Sequence, residues 1–377
     1  MAPKKNILLV IADDMGKSLG CYGDSTISTP NIDRLAAEGT LFDNAFASTA
    51  SCSGSRSVIY TGLHTHQNGQ YGLQHSNHHF LTFDHIETAP KLFQTFGYLT
   101  GIIGKIHVGP DNVYPWEVRR ESPTRDVAWV AQEADSFFQL AKEDPRSFFL
   151  TVGFMDPHRD STRGGFGNGD DSVSGPDATY DPAKITVPSF LNDIPEVRQE
   201  MAEYYRSVGR VDRGFGLIMD ALIKAGLDND TLVVLTSDNG PPFLNSKTTL
   251  YDAAWKLDFP FSTDLYASLS WEGIRNSQFP VKVGERSLEA YIRRPPEELY
   301  DMQQDPREVV NLADCPEYKE LLLGYRKELE DWQRLTQDAW LVRDGVSLSE
   351  MQGHIDAGLK IPDRFDFDLA TPGNKVL

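Results

Sequence analysis

The strongest constraint on the fold is a repeated pattern in which short apolar segments alternate with amphipathic ones over residues 1–240. The apolar segments are residues 6–12, 99–103, 148–154 and 231–236. Strands that are continuously apolar are buried on both faces, and strands that alternate with helices form parallel sheets covered by helices on each side. The pattern therefore predicts an α/β domain built on a parallel sheet.

Helix signals fill the intervals between these segments. Pro30 lies at the first position of a helix that Gly39 ends, and Gly226 ends a long helix over residues 200–224. Further helices are predicted over residues 89–96, 127–141 and 321–334. The pattern weakens after residue 250, which predicts a main α/β domain over residues 1–250, a smaller α+β subdomain over residues 251–345 and a polar tail over residues 346–377.

Composition and charge exclude several classes of protein. Lys and Arg number 36 against 55 Asp and Glu, a net charge of −19, which argues against nonspecific nucleic-acid or anionic-membrane binding. The apolar runs are too short to span a bilayer. Three cysteines cannot form a disulfide framework. No export signal is expected in the chain as written, and a sequon at Asn229 matters only in a secreted protein.

Each of the four predicted strands is followed by polar residues capable of chemistry. In open parallel sheets, ligands bind beyond the carboxyl ends of the strands, so these residues are expected to meet at one edge. They are Asp13 and Asp14, then Lys105 and His107, then Asp156 and His158, and finally Asp238 and Asn239.

The oxygen-rich members of this set indicate a metal site. Asp13, Asp14, Asp238 and Asn239 offer only hard donors, which suit Ca²⁺ or Mg²⁺. A lone Asp at a strand end more often caps the following helix. Two adjacent acids repel each other, however, and this favours a bound cation.

Cys52 lies in a segment of Ser, Gly and Arg, just before residues 57–60, which are expected to open a helix. A helix N-terminus lowers the pKa of a thiol and attracts anions. Lone cysteines are usually small core residues, but these polar neighbours are not typical of a core. The segment is therefore a candidate nucleophile site.

Several motifs, in the same order along the chain, resemble the sulfatase family. The stretches 67–73, 78–80, 104–110 and 113–115 are similar to its heparan N-sulfatase branch. The motifs shared with the whole family are residues 6–14, 52–56, 61–62, 101–107, 238–240 and 298–313.

The resemblance implies an alkaline-phosphatase-like α/β fold and a calcium-dependent hydrolase. Cys52 would be oxidised to formylglycine by a formylglycine-generating enzyme, and its hydrate would attack sulfur. The resemblance assigns the calcium ion to Asp13, Asp14, Asp238 and Asn239. It assigns support of the nucleophile to Arg56, and sulfate binding and proton transfer to Lys105, His107 and His158. Lys247 matches a basic residue near the sulfate.

The histidines at positions 64, 66, 75, 78 and 79 do not have the spacing of a helical zinc-ligand pair. The resemblance places His78 and His79 in the sugar pocket, and the alternative is that they are surface loop residues.

The chain departs from the family pattern at two places. Gly54 stands where the maturation motif has proline, so conversion of Cys52 is expected to be incomplete. Only 58 residues separate Asn239 from Glu298, where the family has a much longer stretch. A shortened chain is expected to expose a sheet edge and apolar surface.

Three functions follow from these observations. The first is a sulfatase acting on sulfated amino sugars of the N-sulfoglucosamine type, in glycosaminoglycan degradation. The second is a pseudoenzyme or anion-binding protein. The third is a phosphoryl-transfer hydrolase that uses Cys52 or Ser53. The resemblance leaves open the attachment of the sulfate, on nitrogen or oxygen, and the oligomeric state, a homodimer being one option. It also leaves the compartment open, since family members are often lysosomal or secreted.

Overall fold

The computed structural model describes residues 5–75, 80–162, 165–175, 178–247, 265, 267–292, 294–338, 352–353 and 356. The predicted sugar-pocket residues His78 and His79 therefore lie outside the described residues, as does nearly all of the predicted tail.

A parallel sheet of five strands forms the centre of the protein, in the order β3-β2-β4-β1-β5. The strands are β1 (Asn6–Ala12), β2 (Leu99–Gly104), β3 (Val118–Glu121), β4 (Phe148–Gly153) and β5 (Thr231–Ser237). The four predicted strands are confirmed to within one residue at each end. The fifth, β3, was not predicted because it is short, charged and partly exposed at the sheet edge.

Helices cover both faces of the sheet, as predicted. The helices of this region are α1 (Pro30–Glu38), α2 (Cys52–Thr61), α3 (Thr65–Asn68), α4 (Ala89–Thr95), α5 (Val127–Glu143) and α6 (Pro195–Ala225). On one face of the sheet, Leu8, Val10 and Val152 pack against the long helices α5 and α6. On the other face, Ile102 and Phe149 pack against α2 and α4. None of the described helices is long and apolar enough to cross a membrane.

Strand β5 lies at one edge of the described sheet, and part of its apolar surface faces solvent. Leu232 is 57% exposed and Val234 is 39% exposed. In an α/β sheet these positions are normally covered. The exposure matches the expectation that a shortened chain leaves a sheet edge uncovered.

The region after residue 264 contains α7 (Leu269–Arg275), β6 (Lys282–Val283), β7 (Arg286–Ser287), α8 (Leu288–Ile292) and α9 (Lys319–Leu335). Trp271 and Ile274 of α7 join the same core as α6. The carboxylate of Glu200 accepts hydrogen bonds from the backbone N–H groups of Leu269 and Ser270, at 2.8 and 3.1 Å, and so caps α7. The domain boundaries at residues 250 and 345 remain predictions.

Candidate active site

The four strand ends do converge. The backbone N–H of Asp13 donates to the carbonyl of Asp156 at 3.1 Å, and that of Asp14 donates to Asp238 Oδ1 at 3.0 Å. Asp14 adopts a φ of 62°, a left-handed conformation that is uncommon for a residue with a Cβ. The buried Tyr204 hydroxyl fixes this turn by donating to the Met15 carbonyl at 2.5 Å.

Asp13, Asp14 and Asp238 form a buried cluster in which one carboxylate oxygen from each lies within 4.8 Å of the others. Asn239 Nδ2 donates to Asp14 Oδ1 at 2.7 Å, so the amide oxygen of Asn239 takes no part in this hydrogen bond. Asn239 Oδ1 and Asp13 Oδ1 are both buried and accept no hydrogen bond from any described residue. Buried oxygens that accept no hydrogen bond are costly unless a cation binds them, so this donor set fits a hard divalent ion such as Ca²⁺.

Charges within the cluster and around it shift the pKa values of its carboxyl groups. Burial and the neighbouring Asp13 raise the pKa of Asp238 well above its usual value. Burial alone would also raise the pKa of Asp13, but Lys105, His158 and Arg56 outweigh it and lower that pKa. Carboxylates this close cannot all ionise without nearby positive charge.

Helix α2 brings Cys52 and Arg56 to the cluster. The helix begins at Cys52, five residues earlier than expected. Ser51 is extended, and the backbone N–H of Ser55 donates to the carbonyl of Ser51 at 2.8 Å, which forms the first helical turn. Residues 52 and 56 therefore share one face of the helix. Cys52 Sγ lies 3.9 Å from Asp14 Oδ1, and burial together with Asp13 raises the pKa of the thiol.

Arg56 is fully buried and ties the nucleophile helix to three strand ends. Its Nε donates to Asp238 Oδ2 at 2.9 Å, its Nη1 donates to the Lys105 carbonyl at 3.1 Å, and its Nη2 lies 3.5 Å from Asp13 Oδ1. A Cβ at Gly153 would lie 3.0 Å from Arg56 Nη1 and 2.2 Å from the Lys105 carbonyl. Glycine at the end of β4 is thus needed for this close approach, a role that the sequence analysis missed.

The two lysines assigned to the sulfate contact the carboxylates in this structure. Lys105 Nζ pairs with Asp13, and Lys247 Nζ lies 2.6 Å from Asp14 Oδ2. Both reach the same cluster from elements far apart in sequence. Three carboxylates are therefore matched by three cations, since Arg56 is the third.

His158 faces the cluster with a defined tautomer. Its Nδ1 lies 2.6 Å from the Arg159 carbonyl, which can only accept, so Nδ1 carries the proton. Its Nε2 then holds the lone pair and lies 3.8 Å from Asp14 Oδ2. Burial lowers the pKa of His158, which favours this neutral form.

Arg125 is a further residue of the site that the sequence analysis missed. It donates to Asp156 Oδ1 at 3.0 Å, to the His158 carbonyl at 2.6 Å and to the Arg159 carbonyl at 2.8 Å. It therefore holds the turn that presents the His158 ring. No motif signals this role, because Arg125 precedes α5 and is distant from the turn in sequence.

His107 adopts a φ of 59° and stacks on His75 at a centroid distance of 4.6 Å. Both of its ring nitrogens are buried without a hydrogen-bond partner among the described residues. Burial, followed by the charge of Lys105, lowers its pKa strongly. The His107 ring is therefore neutral, and its two nitrogens are able to hydrogen-bond a polar ligand.

His64 and His66 lie elsewhere. Their rings stack at 5.6 Å and both contact Trp332 of α9 edge-on. In the described part of the chain, His158 is the one histidine that falls in a group of possible metal ligands.

Comparisons with solved structures show the fold. The chain superposes on a 2-O GAG sulfatase with a TM-score of 0.59 at 19% identity, covering 89% of this chain and 93% of that one. It also superposes on the phosphonate monoester hydrolase of Agrobacterium radiobacter with a TM-score of 0.57 at 15% identity, covering 88% and 96%. The fold is therefore the alkaline-phosphatase-like one that was expected.

Sequence comparisons show the family. The Sulfatase family model matches residues 5–263. The chain is 32% identical over 470 aligned residues to N-sulphoglucosamine sulphohydrolase of Homo sapiens, covering 92% of this chain and 93% of that protein. It is 24% identical to an arylsulfatase of Clostridium perfringens (strain 13 / Type A), covering 86% and 94%. The human alignment is longer than the 377 residues of this chain, so the human protein has segments without a counterpart here. These matches show that the chain belongs to the sulfatase family of enzymes, which hydrolyse sulfate esters and sulfamates.

Proposed function

We propose that this enzyme removes sulfate from N-sulfated glucosamine residues, with a formylglycine derived from Cys52 and a calcium ion. The observation that carries the proposal is the position of Cys52. It begins a helix, lies 3.9 Å from the carboxylate cluster, and has Arg56 on the same helical face. The choice of an amino sugar is supported by the 32% identity to the human sulphohydrolase over most of both chains.

Each proposed role rests on a contact in the site. Asp13, Asp14, Asp238 and Asn239 would hold the calcium ion, which would polarise the sulfuryl oxygens when bound. Lys105 and Lys247, which now pair with Asp13 and Asp14, would turn their ammonium groups toward the sulfate if those carboxylates were neutralised by a bound divalent ion. Preorganised cations of this kind stabilise the charge that develops as the S–N bond breaks.

The oxidised Cys52 would supply an aldehyde hydrate, of which one hydroxyl attacks sulfur and the other allows sulfate to leave. Arg56 orients the helix that carries it through its buried pair with Asp238. The neutral His158 has a free Nε2 lone pair facing this position, so it can accept the hydroxyl proton. His107, buried and neutral, can hydrogen-bond the leaving amine or the sulfate.

A second candidate is a protein that keeps the anion site without turnover. It is supported by Gly54 in the maturation motif and by the exposed strand β5. The phosphoryl-transfer alternative is supported by the fold shared with the phosphonate monoester hydrolase.

One assay distinguishes the three. Purified protein is incubated with N-sulfoglucosamine, and with the sulfate and phosphate esters of one phenol, and released sulfate, amine and phosphate are measured. For the N-sulfoglucosamine function we expect sulfate and free amine to be released in equal amounts. A folded Cys52→Ser variant should release neither product. Phosphate release at a higher rate would support the phosphoryl-transfer function, and no release by formylglycine-containing protein would support the binding protein.

A further inference from the structure

The thiol form of Cys52 lies in a set of side chains different from the oxygen cluster. Asp13, Cys52 and His158 each offer one donor atom, and the three donors lie within 4.8 Å of one another. They combine a carboxylate oxygen, a sulfur and an imidazole nitrogen. This mixture is typical of sites for Zn²⁺ and similar cations, whereas Ca²⁺ takes oxygen donors.

The orientation of His158 is that of a metal ligand. Its Nδ1–H donates to the Arg159 carbonyl at 2.6 Å, and Arg125 donates to the same carbonyl at 2.8 Å. Histidines that bind metals almost always donate their second N–H to a carbonyl or carboxylate in this way. The Nε2 lone pair is thereby directed into the site, where its neighbour Asp14 Oδ2 is 3.8 Å away, too far for a hydrogen bond.

Asp13 and Cys52 also have unused binding capacity. Asp13 Oδ1 is buried and accepts no hydrogen bond from the described residues. Cys52 Sγ has one weak contact, at 3.9 Å, to Asp14 Oδ1. The nearest cation to this oxygen is Arg56 Nη2, at 3.5 Å. A buried carboxylate oxygen that accepts no hydrogen bond, beside an imidazole oriented toward the same point, indicates a ligand.

From this arrangement we propose that the unconverted protein binds a zinc-class divalent cation through Asp13 Oδ1, Cys52 Sγ and His158 Nε2. With tetrahedral angles and ordinary Zn–S, Zn–N and Zn–O lengths, such donors lie about 3.3–3.8 Å apart, so the three need to close by about 1 Å. Binding forms a metal–sulfur bond and releases the thiol proton to solvent. The fourth position is left for water or an anion.

The proposal goes beyond the sulfatase function and does not depend on it, since it concerns protein that still has the thiol. It has a consequence for maturation: because Asp13 is shared, a zinc-class ion and calcium compete. A metal bound to the sulfur also protects Cys52 from oxidation, so it delays conversion to formylglycine.

The test uses Co²⁺ alone as a spectroscopic substitute for Zn²⁺, with full-length protein in which mass spectrometry shows an unmodified Cys52. We expect one equivalent of Co²⁺ to give a sulfur-to-cobalt charge-transfer band, displaced by Zn²⁺. The matched control is the double variant Cys21→Ser with Cys315→Ser, which removes the other two thiols and should keep the band.

Cys52→Ser should abolish the band, and His158→Ala should weaken Co²⁺ binding by about 10-fold or more. His158 is partly exposed, so its variant is expected to fold even if a change at the buried Cys52 does not. A band that persists in folded Cys52→Ser, an unchanged affinity in His158→Ala, or no band in wild-type protein with the thiol present would each overturn the proposal. None of these outcomes bears on sulfate release by converted protein.

Discussion

Arg56 Nε donates to Asp238 Oδ2 at 2.9 Å, and both side chains are fully buried. The pair joins helix α2 to the end of strand β5, so it fixes Cys52 against the carboxylate cluster. Burial opposes the charge on Arg56, but Asp238 and Asp13 more than offset it and raise its pKa further. The contact therefore serves both the fold and the site.

Arg56→Met should destabilise the protein by about 3–5 kcal/mol, because it leaves buried carboxylates without their partner. Urea unfolding with a fluorescence readout measures the change. The double variant Arg56→Met with Asp238→Leu removes both charges and should recover part of the loss. Equal stabilities of the wild type and the single variant would show that the pair does not support the fold.

Calcium should raise the melting temperature if it binds only the folded state. At a free concentration about 100 times Kd, mass action adds about 2.7 kcal/mol of stability. The double change Asp13→Ala with Asp238→Ala should remove this response, measured by scanning fluorimetry with and without chelator. The control pair Asp84→Ala with Asp171→Ala lies on exposed surface and should keep it. A calcium response that survives the first double change would place the ion elsewhere.

The protein should become less stable as the pH is lowered, and His107 should account for part of this loss. Its folded-state pKa is lowered, so below about pH 6.5 the unfolded chain takes up a proton that the folded chain does not. The free energy of unfolding then decreases by up to about 1.4 kcal/mol per pH unit. His107→Gln should lose less stability than wild type between pH 7 and pH 5.5 in urea titrations, whereas the exposed control His85→Gln should follow wild type. Parallel curves for all three proteins would show that His107 does not contribute.

Arg125 should act on catalysis through His158. Arg125→Met removes the hydrogen bonds that hold the His158 and Arg159 carbonyls, and we expect kcat to fall by about 10²-fold, comparable to loss of a general base. In a His158→Ala background the same change should have little further effect. Arg120→Met, at an exposed ion pair, serves as the control. Equal, additive losses in both backgrounds would indicate a purely structural role.

Gly54 should limit the conversion of Cys52. In the folded protein a Cβ at this position would lie 2.8 Å from Thr49 Cγ2, so larger residues need Thr49 to move. Gly54→Pro should raise the formylglycine fraction while destabilising the fold by about 1–3 kcal/mol, and adding Thr49→Ser should relieve part of that strain. Mass spectrometry of the Cys52 peptide gives the fraction. Complete conversion with Gly54 in place would show that proline is not needed.

The sequence predicted the parts of this structure that repeat a simple pattern. The four apolar strands and the polar residues after them follow from burial and from the geometry of parallel sheets, and the cluster of Asp13, Asp14 and Asp238 confirms their convergence. Strand β3 has no apolar run, so periodicity could not reveal it. The start of α2 depends on Ser51 adopting an extended conformation, which the local composition does not specify.

The supporting residues of the site were missed for a different reason. Gly153, Arg125 and Tyr204 act through contacts with segments distant in sequence, and each has an ordinary local explanation in its own element. The resemblance assigned Lys105 and Lys247 to sulfate, and it did not predict the pairs that they form with Asp13 and Asp14 in this structure. Those pairs depend on the balance of charge within the assembled cluster, which no single motif encodes.

The formylglycine mechanism is tested most directly by measuring sulfate release from N-sulfoglucosamine and the formylglycine fraction at position 52 in the same samples. The samples are wild type, wild type coexpressed with a formylglycine-generating enzyme, Gly54→Pro, and Cys52→Ser, all adjusted to equal folded concentration. We predict a rate proportional to the formylglycine fraction and no release by Cys52→Ser. Sulfate release that is independent of this fraction, or that persists in Cys52→Ser, would contradict it.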